Sequence, residues 1–134
     1  DTCMTVGRKV RAGTVWMNTF MDGMTRYFDL SNPEAPKQTY EKHTGSQVNM
    51  VSQSWDGKRV YLTSSLLANW DKSGADNEQF LRGFNWDGKE LQLAFEVDFL
   101  KEKLGRAHHM KFGTKAVKAA FDSKGAVRVA AADR

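Results

Sequence analysis

Ser54-Trp55-Asp56-Gly57-Lys58-Arg59-Val60-Tyr61-Leu62-Thr63-Ser64 runs a turn signal straight into a strand signal. Asp-Gly supplies the positive-φ corner of a tight hairpin. From Arg59 onward, Val60 and Leu62 fall on one face and Tyr61 and Thr63 on the other, the period-two alternation of a half-buried strand. A near copy of the turn stands at Asn85-Trp86-Asp87-Gly88-Lys89, and Asp22-Gly23 makes a third. Asp122-Ser123-Lys124-Gly125 is a looser fourth. The four aspartates lie 34, 31 and 35 positions apart. A recurring spacing of this size predicts repeated supersecondary units.

The segments between the turns favour strands over helices. Gly13 to Phe20 and Met24 to Leu30 are rich in aromatic and β-branched residues. Leu91 to Phe99 alternates so that Leu91, Leu93, Phe95, Val97 and Phe99 are expected on a single face. Ser31 to Pro36 reads as a turn, since Pro33 and Pro36 exclude a helix interior. Hairpins every thirty-odd residues read as blades of a β-propeller, with Trp55 and Trp86 at equivalent positions packing between blades. The 134 residues then fill two to three blades. The expected fold class is all-β, a partial β-propeller of antiparallel strands that is incomplete as a single chain and needs a closing partner for its edges.

Composition bounds the rest. Hydrophobic residues make up 40%, charged residues 27%, and mean hydropathy is −0.59, which excludes a membrane span, a collagen and a disordered tail. A single cysteine, Cys3, excludes an internal disulfide framework. The chain starts at Asp1 without a leader pattern, so either a leader has been removed or the sequence is a piece of something longer. The net charge of +4 is uneven: residues 99–134 carry Lys101, Lys103, Arg106, Lys111, Lys115, Lys118, Lys124, Arg128 and Arg134 against three acids. No stacking aromatics interleave this stretch, which argues against nucleic acid as a partner. Motifs for nucleotide phosphate loops, zinc proteases, serine hydrolases and EF-hands are absent from the sequence.

The run Asn49 to Leu66, NMVSQSWDGKRVYLTSSL, leading into Leu67-Ala68-Asn69-Trp70-Asp71-Lys72, resembles the DGKR…WDK stretch of the selenium-binding protein family, which includes the bacterial methanethiol oxidases. Thr25 to Pro33 and the segments Phe95 to Phe99 and Leu104 to His108 resemble further family motifs in the same order. The resemblance covers about residues 20–112 and implies the C-terminal part of a larger propeller. It divides the chain into residues 1–112, C-terminal blades of such a propeller, and residues 113–134, a basic divergent tail read either as a strand hairpin (Lys115 to Phe121 and Ala126 to Ala131) or as a short helix.

The resemblance also implies chemistry. It points to a copper-dependent oxidase that takes methanethiol, oxygen and water to formaldehyde, hydrogen sulfide and hydrogen peroxide. The metal ligands it suggests are His108 and His109, the second standing where the family has Glu. Imidazole suits copper, although adjacent residues on a strand face opposite ways. His43, expected just before a strand beginning near Gln47, reads more simply as a loop histidine. Cys3 and the six methionines read as packing residues, and Trp70-Asp71-Lys72 as a structural turn. The expected partners are the remainder of the propeller or a second polypeptide, with a small thiol as substrate, and the expected location is periplasmic, with cytoplasmic as the alternative. The competing functional reading is a non-catalytic, propeller-derived subunit that docks onto a larger assembly through its open edges.

Overall fold

The computed structural model describes residues 2–7, 13–64 and 78–115, the first of these as backbone only. The segments at 116–134 and 65–77, with Trp70-Asp71-Lys72 and the tail expectation, lie outside the described residues. Two four-stranded antiparallel sheets are formed. The first is ordered β1 (Thr2–Gly7), β2 (Thr14–Thr19), β3 (Met24–Asp29) and β4 (Lys37–His43). The second is ordered β5 (Val51–Gln53), β6 (Arg59–Thr63), β7 (Phe80–Trp86) and β8 (Leu91–Asp98). Each strand pairs with the one before it, so each sheet is one up-and-down blade. The all-β, partial-propeller expectation holds, with two blades described.

The turns follow the expected chemistry. Gly23, Gly57 and Gly88 have φ of 67°, 72° and 96°, and the aspartate before each accepts a backbone N–H two residues on, from Met24 (3.0 Å), Lys58 (3.0 Å) and Lys89 (2.8 Å). Their spacing, however, does not count blades. Asp56-Gly57 joins β5 to β6 and Asp87-Gly88 joins β7 to β8, so the near copies are two tips of one blade. Trp55 and Trp86 are therefore not equivalent. Trp86 is buried between the sheets, whereas Trp55 sits half-buried in a turn.

The actual repeat is visible in strand register. In the first blade Trp16 pairs with Tyr27 and Tyr27 with Tyr40, and a bulge follows between Tyr27 and Phe28. In the second, Tyr61 pairs with Gly83 and Gly83 with Phe95, and a bulge follows between Gly83 and Phe84. Superimposing these rows makes Asn18 equivalent to Thr63 and Arg26 equivalent to Arg82. The ion pairs confirm the match. Arg26 bridges Asp22 four residues back and Glu41 across the strand, as Arg82 bridges Glu78 and Glu96. Trp16 and Tyr61 are 45 positions apart, and Tyr27 and Gly83 are 56.

The same bulge corrects the reading of β8. Leu91 pairs with Trp86 and Leu93 with Phe84, but the extra residue Ala94 shifts the phase so that Phe95 pairs with Gly83. One inserted residue turns the later side chains to the other face. Leu91 is buried while Phe95 is 45% exposed on the far side.

The blades pack face to face. Their backbones come closest at β1 and β5, and toward β4 and β8 the space between them is filled by aromatic rings. Trp86 inserts among Trp16, Tyr27 and Tyr40 with ring centroids 4.8, 5.1 and 5.2 Å away, mostly edge-on. Val48, Val51, Val60, Leu62, Phe80, Phe84 and Leu91 complete this core, each buried aliphatic or aromatic side chain contributing roughly 1.5–3 kcal/mol. The outer strands are tied by Leu91 N donating to the Tyr40 hydroxyl (3.0 Å) and Lys42 Nζ donating to Leu91 O (2.8 Å).

A buried polar chain stitches the crossover from one blade to the next. Thr25 Oγ1 donates to Asn18 Oδ1 (2.8 Å) and lies 2.7 Å from Thr44 Oγ1; Asn18 Nδ2 donates to Asn49 O (2.9 Å). The Thr25 hydroxyl proton is spent on Asn18, so Thr44 is the donor of that second bond. His43 ends β4 and the next strand starts at Val51, not near Gln47.

Candidate functional site

The segment after β8 carries the two histidines singled out in the sequence. Asp98 Oδ1 accepts the N–H groups of Leu100 and Lys101 (both 3.0 Å), folding a tight turn that closes with Leu104 N on Phe99 O (3.0 Å). Lys103 and Gly105 take φ of 55° and 84°. These left-handed residues reverse the chain, and 106–112 returns along the face of the second blade that points away from the first. Thr63 Oγ1 donates to His108 O (2.6 Å), and Ser52 Oγ donates to Met110 O (2.9 Å). Tyr61 meets Phe112 edge-on, 5.4 Å between centroids. Two backbone carbonyls and the Phe112 ring thus take part in holding the histidine segment.

That attachment leaves both imidazoles exposed. His43 is exposed at the far end of β4 with its ring against the backbone of Gly23. Cys3 lies in β1, its side chain outside the described set. Met17, Met24, Met50 and Met110 are half-buried, and Met21 is 89% exposed at a turn tip. Among the described residues no three His, Cys, Asp or Glu side chains converge as a metal-binding group. His108 and His109 supply the right donor chemistry for copper, but among the described residues they belong to no group of three His, Cys, Asp or Glu.

Electrostatics around the segment are basic, with Lys101, Lys103, Arg106, Lys111 and Lys115 all exposed. The acids are mostly committed to turns and ion pairs. Arg26 holds the Asp22 carboxyl down to about 2, helped by Thr19. At Asp87, the N–H groups of Glu90 and Lys89 lower the carboxyl below its usual range. Burial opposes ionisation of Asp56, yet the Ser54 hydroxyl and the Lys58 N–H outweigh it.

The sequence reading missed a groove on the same face. Arg59, Tyr61, Gly83, Asn85, Ala94 and Phe95 line an open cleft of about 240 Å³. Its floor exists because Gly83 has no side chain: a Cβ there would overlap the Phe95 ring. The signal was the glycine inside an otherwise bulky strand, Phe80-Leu81-Arg82-Gly83-Phe84. No helix among the described residues is long and apolar enough to cross a membrane.

Comparison with known proteins adds identity to geometry. No model of a known protein family matches the chain. Over 101 residues, 75% of this chain, it is 63% identical to a methanethiol oxidase of Hyphomicrobium sp., of which it covers 23%. Over 104 residues, 78% of this chain, it is 64% identical to a methanethiol oxidase of Ruegeria pomeroyi, of which it covers 24%. In fold it is similar to the X-ray structure of a hypothetical selenium-binding protein from Sulfolobus tokodaii. The TM-score there is 0.59 at 23% identity, over 72% of this chain and 25% of that one. The chain spans about a quarter of the length of the relatives it matches. With nearly two-thirds identity across three-quarters of its residues and a blade architecture shared with the solved structure, the chain belongs to the methanethiol oxidase and selenium-binding protein family.

Proposed function

We propose that this chain supplies two blades and part of the metal site of a methanethiol oxidase. The reaction is CH₃SH + O₂ + H₂O → HCHO + H₂S + H₂O₂, with the thiol carbon oxidised and oxygen reduced by two electrons. The observation that carries the reading is the anchoring of His108: the Thr63 hydroxyl fixes its carbonyl at 2.6 Å beside β5, on the side where the two blades approach closest. In a closed ring that is the axial side, where strands from several blades bring ligands together. Copper, when bound, would supply the electron transfer between thiol and oxygen that no protein side chain performs.

This chain's own residues then hold and orient. Thr63 and Ser52 set the height of the segment by gripping two carbonyls, and Tyr61 against Phe112 fixes its lateral position. His108 and His109 would be the ligands it offers, with the others coming from outside the described residues. The proposed compartment is the periplasm. The test is copper content by plasma mass spectrometry, together with methanethiol turnover, on the complete protein and its His108→Ala and His109→Ala forms. Copper near one per protein, falling by at least half in His108→Ala, is the expected result. A copper-free, inactive complete protein would overturn the reading and leave the docking-subunit alternative.

A further inference from the structure

The methionines whose side chains are described divide by exposure. Met17, Met24, Met50 and Met110 are half-buried, whereas Met21 is 89% exposed. The corner that carries Met21 is fixed on both sides of it. Phe20 is buried at 9% exposure. Asp22 accepts the N–H of Met24 (3.0 Å) and pairs with Arg26 (2.8 Å). Gly23 closes the turn at φ 67°, its N–H donating to Thr19 O (3.1 Å) and its carbonyl accepting from Thr44 N (3.0 Å). The thioether is thus held out into solvent on a pinned turn and does not fold back onto the sheet.

The turn lies at the end of the blades where the chain crosses over. Asn18, three residues before Met21, donates to Asn49 O, and its equivalent Thr63 donates to His108 O. Met21 and the histidine segment therefore share one end of the fold. A thioether needs no deprotonation to react with peroxide, so access to the sulfur decides which methionine is oxidised first.

We propose that Met21 is the site at which hydrogen peroxide modifies this protein, and that the fold tolerates its oxidation. The sulfur lone pair attacks one oxygen of H₂O₂, the S–O bond forms as the O–O bond breaks, and the second oxygen leaves as water. The thioether becomes a sulfoxide and the peroxide is reduced by two electrons. The inference rests on the oxidase reading only for the source of the peroxide, which that reaction releases at each turnover. At Met21 the new S–O dipole meets water. At a half-buried methionine it would be partly desolvated against the sheet, a cost that disrupts packing. The change is of the kind that methionine sulfoxide reductases reverse.

The test is a timed exposure of the complete native protein to hydrogen peroxide, stopped with catalase and read by mass spectrometry. Met17, Met21 and Met24 fall on one tryptic peptide, Ala12 to Arg26, so fragment ions assign the added oxygen. Oxidation of Met21 at least about threefold faster than each of Met17, Met24, Met50 and Met110 is expected from access to the sulfur. A smaller ratio to any of them would overturn the inference. Protein oxidised only at Met21 should keep the urea midpoint of the parent, and a lowered midpoint would overturn the tolerance. Met21→Leu should remove the fastest phase of oxidation, and a fast phase that survives would place the site elsewhere. Added peroxide needs no turnover, so a preparation inactive on methanethiol counts against the oxidase reading alone.

Discussion

The Trp16–Tyr27–Tyr40 row and the Tyr61–Gly83–Phe95 row have the same register and the same adjoining bulge, but among the described residues only the first has a blade packed over it. In the closed row three rings meet a fourth edge-on. In the open row a glycine removes the middle ring, Phe95 moves over the vacant position, and a groove is left at its side. The comparison teaches that backbone pairing sets where an interblade contact forms, while one residue in the row decides the shape of what enters it.

The largest test of that equivalence is truncation of Trp86, which packs against the closed row, and of Phe95, which belongs to the open one. Trp86→Ala should destabilise the protein by about 3–5 kcal/mol, the cost of emptying a buried aromatic site, as measured by denaturant unfolding. Phe95→Ala should cost a comparable amount in the complete protein. A loss below about 0.5 kcal/mol, the size of an ordinary surface substitution, would break the comparison. Gly83→Val sharpens it: overpacking against the Phe95 ring should cost about 1–3 kcal/mol, and the double variant with Phe95→Ala should lose clearly less than the sum of the two single losses. A non-additive cycle is the expected signature of residues in contact.

The polar anchors give the next pair. Thr25→Val leaves Asn18 Oδ1 and Thr44 Oγ1 short of a buried partner and should cost about 1–3 kcal/mol. Thr63→Val, equivalent to altering Asn18 at another buried position whose single bond to His108 O is part-buried, should cost about 0.5–1.5 kcal/mol. Its clearer readout is faster amide exchange across residues 106–112, and unchanged exchange there would detach the histidine segment from β6.

The Arg26 and Arg82 clusters give the smallest effect. Asp22 titrates near 2 in the folded protein against 3.8 for the free group. A depressed folded value means that its stabilisation is complete above about pH 4 and is lost as pH falls from there through 2. The Asp22 side chain is 47% exposed, so solvent screening holds the effect below about 1 kcal/mol. Acid unfolding of Asp22→Asn should be flatter than that of the parent between pH 4 and 2, and added salt should reduce the difference.

Strand character, hairpin turns and fold class were legible because Asp-Gly corners and period-two alternation are local signals. The blade period was not. The repeated Trp-Asp-Gly-Lys words mark two tips of one blade, whereas the true repeat is carried by Arg26 with Asp22 and Glu41, and Arg82 with Glu78 and Glu96. Those residues are close only after strands pair, and the gap between the matched rows changes from 45 to 56 positions across one blade, so no fixed spacing exposes them. The face of Phe95 was misread for a related reason, since Ala94 looks like any strand residue until its partner strand lacks a counterpart. His108 was found through family resemblance. Its anchor on Thr63 joins residues 45 positions apart, which nothing in either local sequence announces.

The contact between the blades has a direction. Trp86 is offered by the second blade and received by a different surface on the first, so the interface is heterologous. Such head-to-tail joints have no internal stop. They propagate as an open array unless the turn between successive units closes a circle. The wedge between these two sheets, narrow at β1 and β5 and held apart by rings toward β4 and β8, is therefore a counting device. The bulk of Trp86 and the three rings around it holds the sheets apart on that side, and in any closed array of such units the angle so set would fix how many fit.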